Sequence, residues 1–201
     1  MEKLIIVGNG FDLAHGLKTS YKNFAGKNKD NPYIVSFRNL FDNMKENSGS
    51  LNVAKKRKNN VTWYDFEENI ENISSWVFAK NYRDDLKEED FKELEEMMAC
   101  VNNVFKHISE LLVSYLIDEI SGKKIEKIKS IEKEITPDSH IISFNYTDTI
   151  KMYTNNYNFV HGSISDDNGS IILGFPRNDF SELSTDEYIK YDKDILREKL
   201  E

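Results

Sequence analysis

The sequence predicts an α/β fold with a mostly parallel sheet, and three short strand-like runs carry this prediction. The runs at residues 4–7, 139–144 and 157–160 have the length of buried strands, and polar residues follow each of them at once. Segments with helical periodicity separate the first run from the second. Ligands of open α/β sheets bind beyond the carboxyl ends of parallel strands, so we expect the three polar clusters at one edge of the sheet.

The first run leads directly into the sequence Gly8-Asn9-Gly10-Phe11-Asp12. Glycine permits positive φ and close approach of the backbone to a ligand, so successive N–H groups of this loop would point at a pyrophosphate. We therefore predict a nucleotide-binding loop, to which Gly16 also belongs. A Gly-x-Gly sequence after a strand also forms ordinary tight turns, and this second interpretation stays open.

Helical periodicity describes most of the chain between the first and the second run. The expected helices are a short one capped by Thr19 or Ser20, one from Tyr33 to Met44, one with apolar residues from Trp63 to Val77, one or two over residues 87–120, and one that carries Ile125 to Ile135 and ends before Pro137. Residues 46–60 have few apolar side chains and a basic cluster at 55–58, so we expect an exposed loop there.

The helical block at residues 61–135 is larger than an ordinary crossover between parallel strands. We therefore predict one α/β domain over residues 1–201, in which 61–135 form an insertion or lid. Residues 148–154 have room for only a short helix, which suits a compact βαβ unit. A further strand is expected at 170–173 and a charged helical tail at 181–201.

The composition of the chain narrows its partners and its compartment. A net charge of −8 argues against general affinity for nucleic acid or an anionic membrane, because phosphate binding requires a concentrated positive surface. No apolar run approaches the roughly 20 residues of a membrane span, and the chain enters its first strand without a secretory leader. We expect a soluble, cytoplasmic protein with neither nucleic acid nor membrane as a partner.

Metal binding is not expected from this sequence. The single cysteine, Cys100, rules out an internal disulfide and a zinc site with several cysteine ligands, and its helical pattern predicts a buried side chain. The histidines are scattered and no His-x-x-x-His pair occurs. Glu67 and Glu68, at the start of a predicted helix, are the one acidic pair to which we assign a small chance of a functional role.

The polar clusters after the second and third runs suit chemistry at the nicotinamide–ribose bond of a dinucleotide. Nicotinamide is already a cationic leaving group, so the barrier lies in a sugar that becomes oxocarbenium-like. Asn145 would hold ribose hydroxyls and orient a water, and His161 would act as a base near neutral pH. Asp12 would stabilise the developing positive charge. The other expected nucleotide contacts in these two clusters are Tyr146, Asp148, Gly162 and Ser163.

Each of these residues also has a purely structural interpretation. Asn145 could close its strand as an Asx-turn, His161 could be a hydrogen-bonded histidine under a glycine turn, and Asp12 could cap a helix. Of the other histidines, His107 and His140 are expected to be structural. The role of His15, which adjoins the expected nucleotide loop, stays open.

Four segments together resemble the AbiH family of bacterial phage abortive infection proteins. These segments are residues 8–21, Trp63 to Glu67, Ser143 to Thr147, and Val160 to Ser163. The resemblance spans residues 4–175 and implies a role in phage defence, with a phage-encoded trigger as a partner. Members of this family tend to be longer, which leaves open whether the chain is a truncated member.

The same motifs resemble, more distantly, the Rossmann-like NAD-binding fold of sirtuins. This resemblance implies that NAD binds across the strand ends as a substrate rather than a true cofactor, with Asn145 and His161 in the cleavage centre. Asp12, Lys18 and Thr147 stand where sirtuins have Ser, Pro and Asp. The sirtuin zinc module needs several cysteines and this chain has one, so we reject protein deacetylation and retain hydrolysis of NAD. The insertion would then be a lid or a homo-oligomerisation surface.

Three other functions compete with an NAD⁺ glycohydrolase. The chain could be a non-catalytic sensor of NAD or ADP-ribose that signals through the helical block. It could also be a protein-interaction module whose glycine loop is only a turn. A nuclease is least favoured, because neither metal-binding carboxylates nor a basic face is evident.

Overall fold

The computed structural model describes residues 3–47, 66, 69, 70, 73, 88–165 and 171–173. Its elements in chain order are β1 (Lys3–Val7), α1 (Asn9–Ala14), α2 (Tyr21–Lys27), α3 (Pro32–Asn47), α4 (Glu88–Ile120), α5 (Lys129–Glu134), β2 (Ser139–Ser143), a 3-10 helix (Asp148–Met152) and β3 (Tyr157–Phe159). The predicted α/β fold is confirmed. The division into one domain with an insertion at 61–135 stays a prediction.

The three strands form a parallel sheet in the order β1-β2-β3. Val7 lies opposite Ser143, and Ser143 lies opposite Phe159, so the three strands end at the same level. The polar residues that follow the three strands therefore lie at one edge of the sheet, as predicted for parallel strands. We call this side the carboxyl edge.

A small core covers one face of the sheet. Val7 of β1, Ile141 of β2 and Ile150 of the 3-10 helix are buried against each other. Phe11 of α1 and Ile135 pack onto this group. Alternate residues of a strand point to opposite faces, so this core receives every second side chain of β1 and β2.

A larger core joins the helices to one another. Its buried members are Phe24, Ile34, Phe37, Phe41, Phe66, Ile70, Ile73, Val101, Val104, Ile108, Leu112, Tyr115, Leu116 and Tyr146. The spacing of these residues along α3 and α4 is that of one helical face. Tyr146 follows β2, so this core reaches the carboxyl edge of the sheet.

Several predicted helices are present, although α3 ends at Asn47 rather than at Met44. Ser20 is the N-cap of α2, and its Oγ accepts a hydrogen bond from the Asn23 amide at 3.2 Å. Residues 88–120 form one helix rather than two. Phe66, Ile70 and Ile73 are helical and buried, which agrees with the apolar stripe expected there. Trp63, the Glu67–Glu68 pair and most of the expected 46–60 loop lie outside the described residues, as does the 181–201 tail.

Three local predictions are wrong. Cys100 is exposed, because it lies beside Val101 on α4 and off the face that enters the core. The helix expected from Ile125 begins only at Lys129, because Ile128 has extended backbone angles, φ −90° and ψ 117°. The Ile128 amide donates to Tyr153 Oη at 2.6 Å. Residues 171–173 belong to no strand, although the Ile172 amide donates to the His161 carbonyl at 2.9 Å.

Within the described part of the chain, every helix is too short or too polar to cross a bilayer.

Ile108→Ala tests the larger core. Ile108 is 0% exposed, so we expect the free energy of unfolding to fall by about 2–5 kcal/mol from lost burial and an unfilled cavity. Ile117→Ala on the same helix is the matched control, because Ile117 is 49% exposed. Urea denaturation measures both variants, and equal losses would contradict this assignment of the core face.

Candidate functional site

The loop after β1 is shorter than its glycines suggest. Gly8 is the N-cap of α1 with φ −137°, and Gly10 already lies inside the helix. Neither glycine uses positive φ, so the expected conformation of the phosphate loop is wrong. A Cβ built at Gly8 or at Gly10 would meet no atom within 4 Å. The backbone here borders open space, which leaves close approach of a ligand sterically free.

Gly16 does use positive φ, at 78°, and turns the chain after α1. The Leu17 amide then donates to the Asp12 carbonyl at 3.1 Å. Helix α4 holds the next residue from both sides, since Tyr115 Oη donates to the Lys18 carbonyl at 2.6 Å and the Lys18 amide donates to Glu119 Oε1 at 2.7 Å. This clamp fixes the segment that ends at Thr19.

A cavity of about 100 Å³ lies at the carboxyl edge, between the segments that follow β1 and β2. Helix α4 closes it with apolar side chains. The residues that line it are Asn9, Asp12, Thr19, Tyr21, Leu112, Leu116, Phe144, Asn145, Tyr146 and Thr147. We call it the edge cavity.

Asp12 is the buried acid of the edge cavity. Its side chain is 1% exposed. Thr147 Oγ1 donates to its Oδ2 at 2.6 Å, and Oδ1 has no hydrogen-bond partner among the residues that the structure describes. Burial raises the pKa of Asp12 above its usual value, and hydrogen bonds, that from Thr147 first, oppose only part of this effect. Asp12 does not cap α1, because that position is Gly8.

Asn145 presents an unused amide to the edge cavity. The residue is 7% exposed and lines the cavity. Its backbone amide donates to Ser143 Oγ at 3.2 Å, so Ser143 rather than Asn145 closes the strand. No group in the described ranges forms a hydrogen bond with the Asn145 side chain. This amide is therefore free to bind a ligand.

Tyr146 joins the edge cavity to the remaining loops. Its hydroxyl donates to the Ile172 carbonyl at 3.2 Å and therefore accepts from Tyr21 Oη at 3.0 Å. Its carbonyl accepts from the Ile164 amide at 2.9 Å. The tyrosine thus ties α2 to the segment after β3.

His161 lies beside the edge cavity but does not line it. Its imidazole is 5% exposed, and its ring centroid lies 5.7 Å from that of Phe144 and 6.0 Å from that of Tyr146. Among the described residues no group forms a hydrogen bond with the imidazole. The structural interpretation of His161 as a hydrogen-bonded histidine therefore has no support from these contacts.

Asp148, Gly162 and Ser163 connect two loops of the carboxyl edge. Gly162 has φ 76°, and Ser163 Oγ donates to Asp148 Oδ1 at 2.7 Å. Lys151 Nζ donates to Asp148 Oδ2 at 2.8 Å. Burial alone would raise the pKa of Asp148, but hydrogen bonds from Lys151, Ser163 and Ser165 together lower it below its usual value. Both oxygens of this carboxylate are therefore engaged within the protein.

Phe11 packs onto the small core, and the His15 ring lies against Phe11. The two ring centroids are 4.7 Å apart, and both rings contact Tyr153. His15 Nδ1 donates to the Phe11 carbonyl at 2.7 Å, which leaves Nε2 to accept from Tyr153 Oη at 2.7 Å. The open question on His15 is thus answered by a structural role.

The edge cavity brings together four of the predicted site residues, namely Asn9, Asp12, Asn145 and Tyr146. It does not include Gly8, Gly10, Phe11, Gly16, Asp148, His161, Gly162 or Ser163. The sequence interpretation missed the other lining residues, which are Thr19, Tyr21, Phe144, Thr147 and the α4 residues Leu112 and Leu116. Thr147 carried a signal, since it belongs to the polar cluster after β2, whereas the α4 residues carry only a core pattern. No cluster of metal-ligating side chains occurs among the described residues.

The chain matches a known protein family. A family model described as "Bacteriophage abortive infection AbiH" matches residues 4–201, which is nearly the whole chain. The chain matches no curated protein and no solved structure significantly.

Asp12→Asn tests the buried acid. Because the folded-state pKa of Asp12 is raised above 3.8, its favourable contribution is complete at low pH and is lost as the pH rises through the folded-state pKa. Asparagine keeps an acceptor for Thr147 and does not ionise. We therefore expect the stability of Asp12→Asn relative to the unsubstituted chain to increase with pH. Denaturation at several pH values between about 4 and 8 measures this difference, and a constant difference would contradict the burial of an ionisable group.

Proposed function

The chain belongs to the AbiH family of bacteriophage abortive infection proteins, and we propose that it binds NAD and hydrolyses the nicotinamide–ribose bond. Loss of NAD would then stop the growth of an infected cell. In this proposal NAD is the substrate, and the phage supplies the trigger.

One observation supports this proposal above the others. The edge cavity lies where ligands of open parallel sheets bind, and two of its polar groups are unused. Among the described residues, these groups are Oδ1 of Asp12, which is buried without a hydrogen-bond partner, and the amide of Asn145, which lines the cavity. Buried polar groups normally have partners, so the unpaired Oδ1 is suited to a polar ligand.

The chemistry needs few groups. The bond between C1′ of the ribose and the nicotinamide nitrogen breaks, and its electron pair returns to the neutral base. A water oxygen forms the new bond to C1′ and gives up a proton. Asn145 would orient the ribose and the water, and His161 would accept the proton. The carboxyl group of Asp12 would stabilise positive charge on the sugar.

The position of His161 defines what this mechanism requires. Its imidazole contacts Phe144 and Tyr146, which both line the edge cavity. The water must therefore enter between these two rings, or the imidazole must turn toward the cavity when the ligand binds. Apo geometry of this kind is compatible with a catalytic base that aligns only in the complex.

The same position of His161 favours a second candidate function. A sensor of NAD or ADP-ribose would use the edge cavity for binding and would need no base in its lining. Helix α4 would then transmit ligand binding, because it contributes Leu112 and Leu116 to the cavity and Tyr115 to the adjacent clamp.

Release of free nicotinamide from NAD distinguishes the two candidates. We expect His161→Ala to reduce the rate by about 10²–10⁴-fold, because a positioned base contributes that factor. Asn145→Ala is expected to lose activity as well. His107→Ala is the matched control, since His107 stacks on Tyr33 and lies outside the cavity lining.

Three outcomes of these assays distinguish the hydrolase from the sensor. Nicotinamide release that His161→Ala leaves at the unsubstituted rate would contradict the role of His161. Binding of NAD with no turnover, unchanged in His161→Ala, would favour the sensor. If NAD neither binds nor reacts, both candidates are wrong.

A further inference from the structure

We propose that Asp12 recognises the sugar of the nucleotide through a hydrogen bond between its Oδ1 and a ribose hydroxyl in the edge cavity. This inference rests on the proposed function, and it adds a specificity-determining residue to the site.

The carboxyl group of Asp12 is held in one orientation. Thr147 Oγ1 donates to Oδ2 at 2.6 Å, and Thr147 Oγ1 in turn lies 3.1 Å from Thr149 Oγ1. Since Thr147 donates to Asp12, it accepts from Thr149. This chain of hydroxyls engages one carboxyl oxygen, and Oδ1 is a buried atom for which the described part of the chain provides no partner.

The unpaired Oδ1 of Asp12 is suited to a hydroxyl group rather than to a phosphate. A hydroxyl donates to an ionised carboxylate and accepts from a protonated one, so it satisfies Oδ1 in either state. The Asn145 amide lines the same cavity and supplies both a donor and an acceptor for the same ring. A phosphate only accepts hydrogen bonds, and an ionised Asp12 would repel it.

Charge and size agree with this assignment. The lining of the edge cavity contains one acid and no Lys, Arg or His. Its volume of about 100 Å³ is smaller than that of a cavity of roughly 150 Å³ that encloses a benzene ring, so only the hydroxyl-bearing edge of a sugar would enter it and the rest of a dinucleotide would lie outside. The phosphates would then stay outside, beside the open backbone at Gly8 and Gly10.

A cycle that combines ligand and protein changes tests the contact. The ligands are ADP-ribose, which contains no nicotinamide bond, and its analogues that each lack one 2′ or 3′ hydroxyl. The proteins are the unsubstituted chain, Asp12→Ala, and the control Asp118→Ala, which removes a carboxylate that is 71% exposed and outside the cavity lining. Titration calorimetry measures every pair.

One analogue is expected to bind the unsubstituted chain and Asp118→Ala about tenfold more weakly than ADP-ribose does, as for a charge-assisted hydrogen bond. In Asp12→Ala the same analogue and ADP-ribose are expected to bind equally. If Asp12→Ala does not fold, Asp12→Asn replaces it, and the penalty is expected to shrink to about threefold because the bond is no longer charge-assisted.

Two results would overturn the inference, and only the second would also overturn the proposed function. Equal penalties in the unsubstituted chain and in the Asp12 variant would show that no hydroxyl contacts Asp12, while nucleotide binding stands. Absence of ADP-ribose and NAD binding to the unsubstituted chain would overturn the proposed function together with this inference.

Discussion

The hydrogen bond from Thr147 to Asp12 links the two segments that build the edge cavity. Asp12 lies on α1 after β1, and Thr147 follows β2, so this 2.6 Å contact spans 135 positions of the chain. Parallel pairing of β1 with β2 brings the two segments to one level, and the hydrogen bond then fixes their distance. Without it, the buried Oδ2 of Asp12 would lose this hydrogen bond, which would cost stability.

The helical block contributes to the site as well as to the core. Helix α4 places Leu112 and Leu116 against the cavity, and Tyr115 and Glu119 of the same helix hold Lys18. These residues occupy successive turns, so a shift of α4 would change the wall of the cavity and the position of Thr19 together. In the sensor function proposed above, such a shift of α4 would follow ligand binding.

The strands and their common edge could be predicted from the sequence, because a short apolar run and the polar residues that follow it are local signals. The sequence did not predict which polar residues meet, because that depends on tertiary contacts. Asp148 and Ser163 bond to each other, and His15 is engaged by Tyr153, whereas Asn145 stays unused. The predicted loop conformation at Gly8 and Gly10 was wrong for a similar reason, because these glycines are compatible with an early helix start as well as with a wide loop. Thr147 could be recognised in the polar cluster after β2, but its hydrogen bond to Asp12 could not be predicted from the sequence.

Hydrogen–deuterium exchange in the presence of saturating ADP-ribose tests most directly whether the carboxyl edge is the nucleotide site. Protection is expected in peptides that cover residues 8–20 and 144–148, because both segments border the edge cavity. Protection confined to other peptides at full occupancy, or unchanged exchange throughout, would contradict a nucleotide site at this edge.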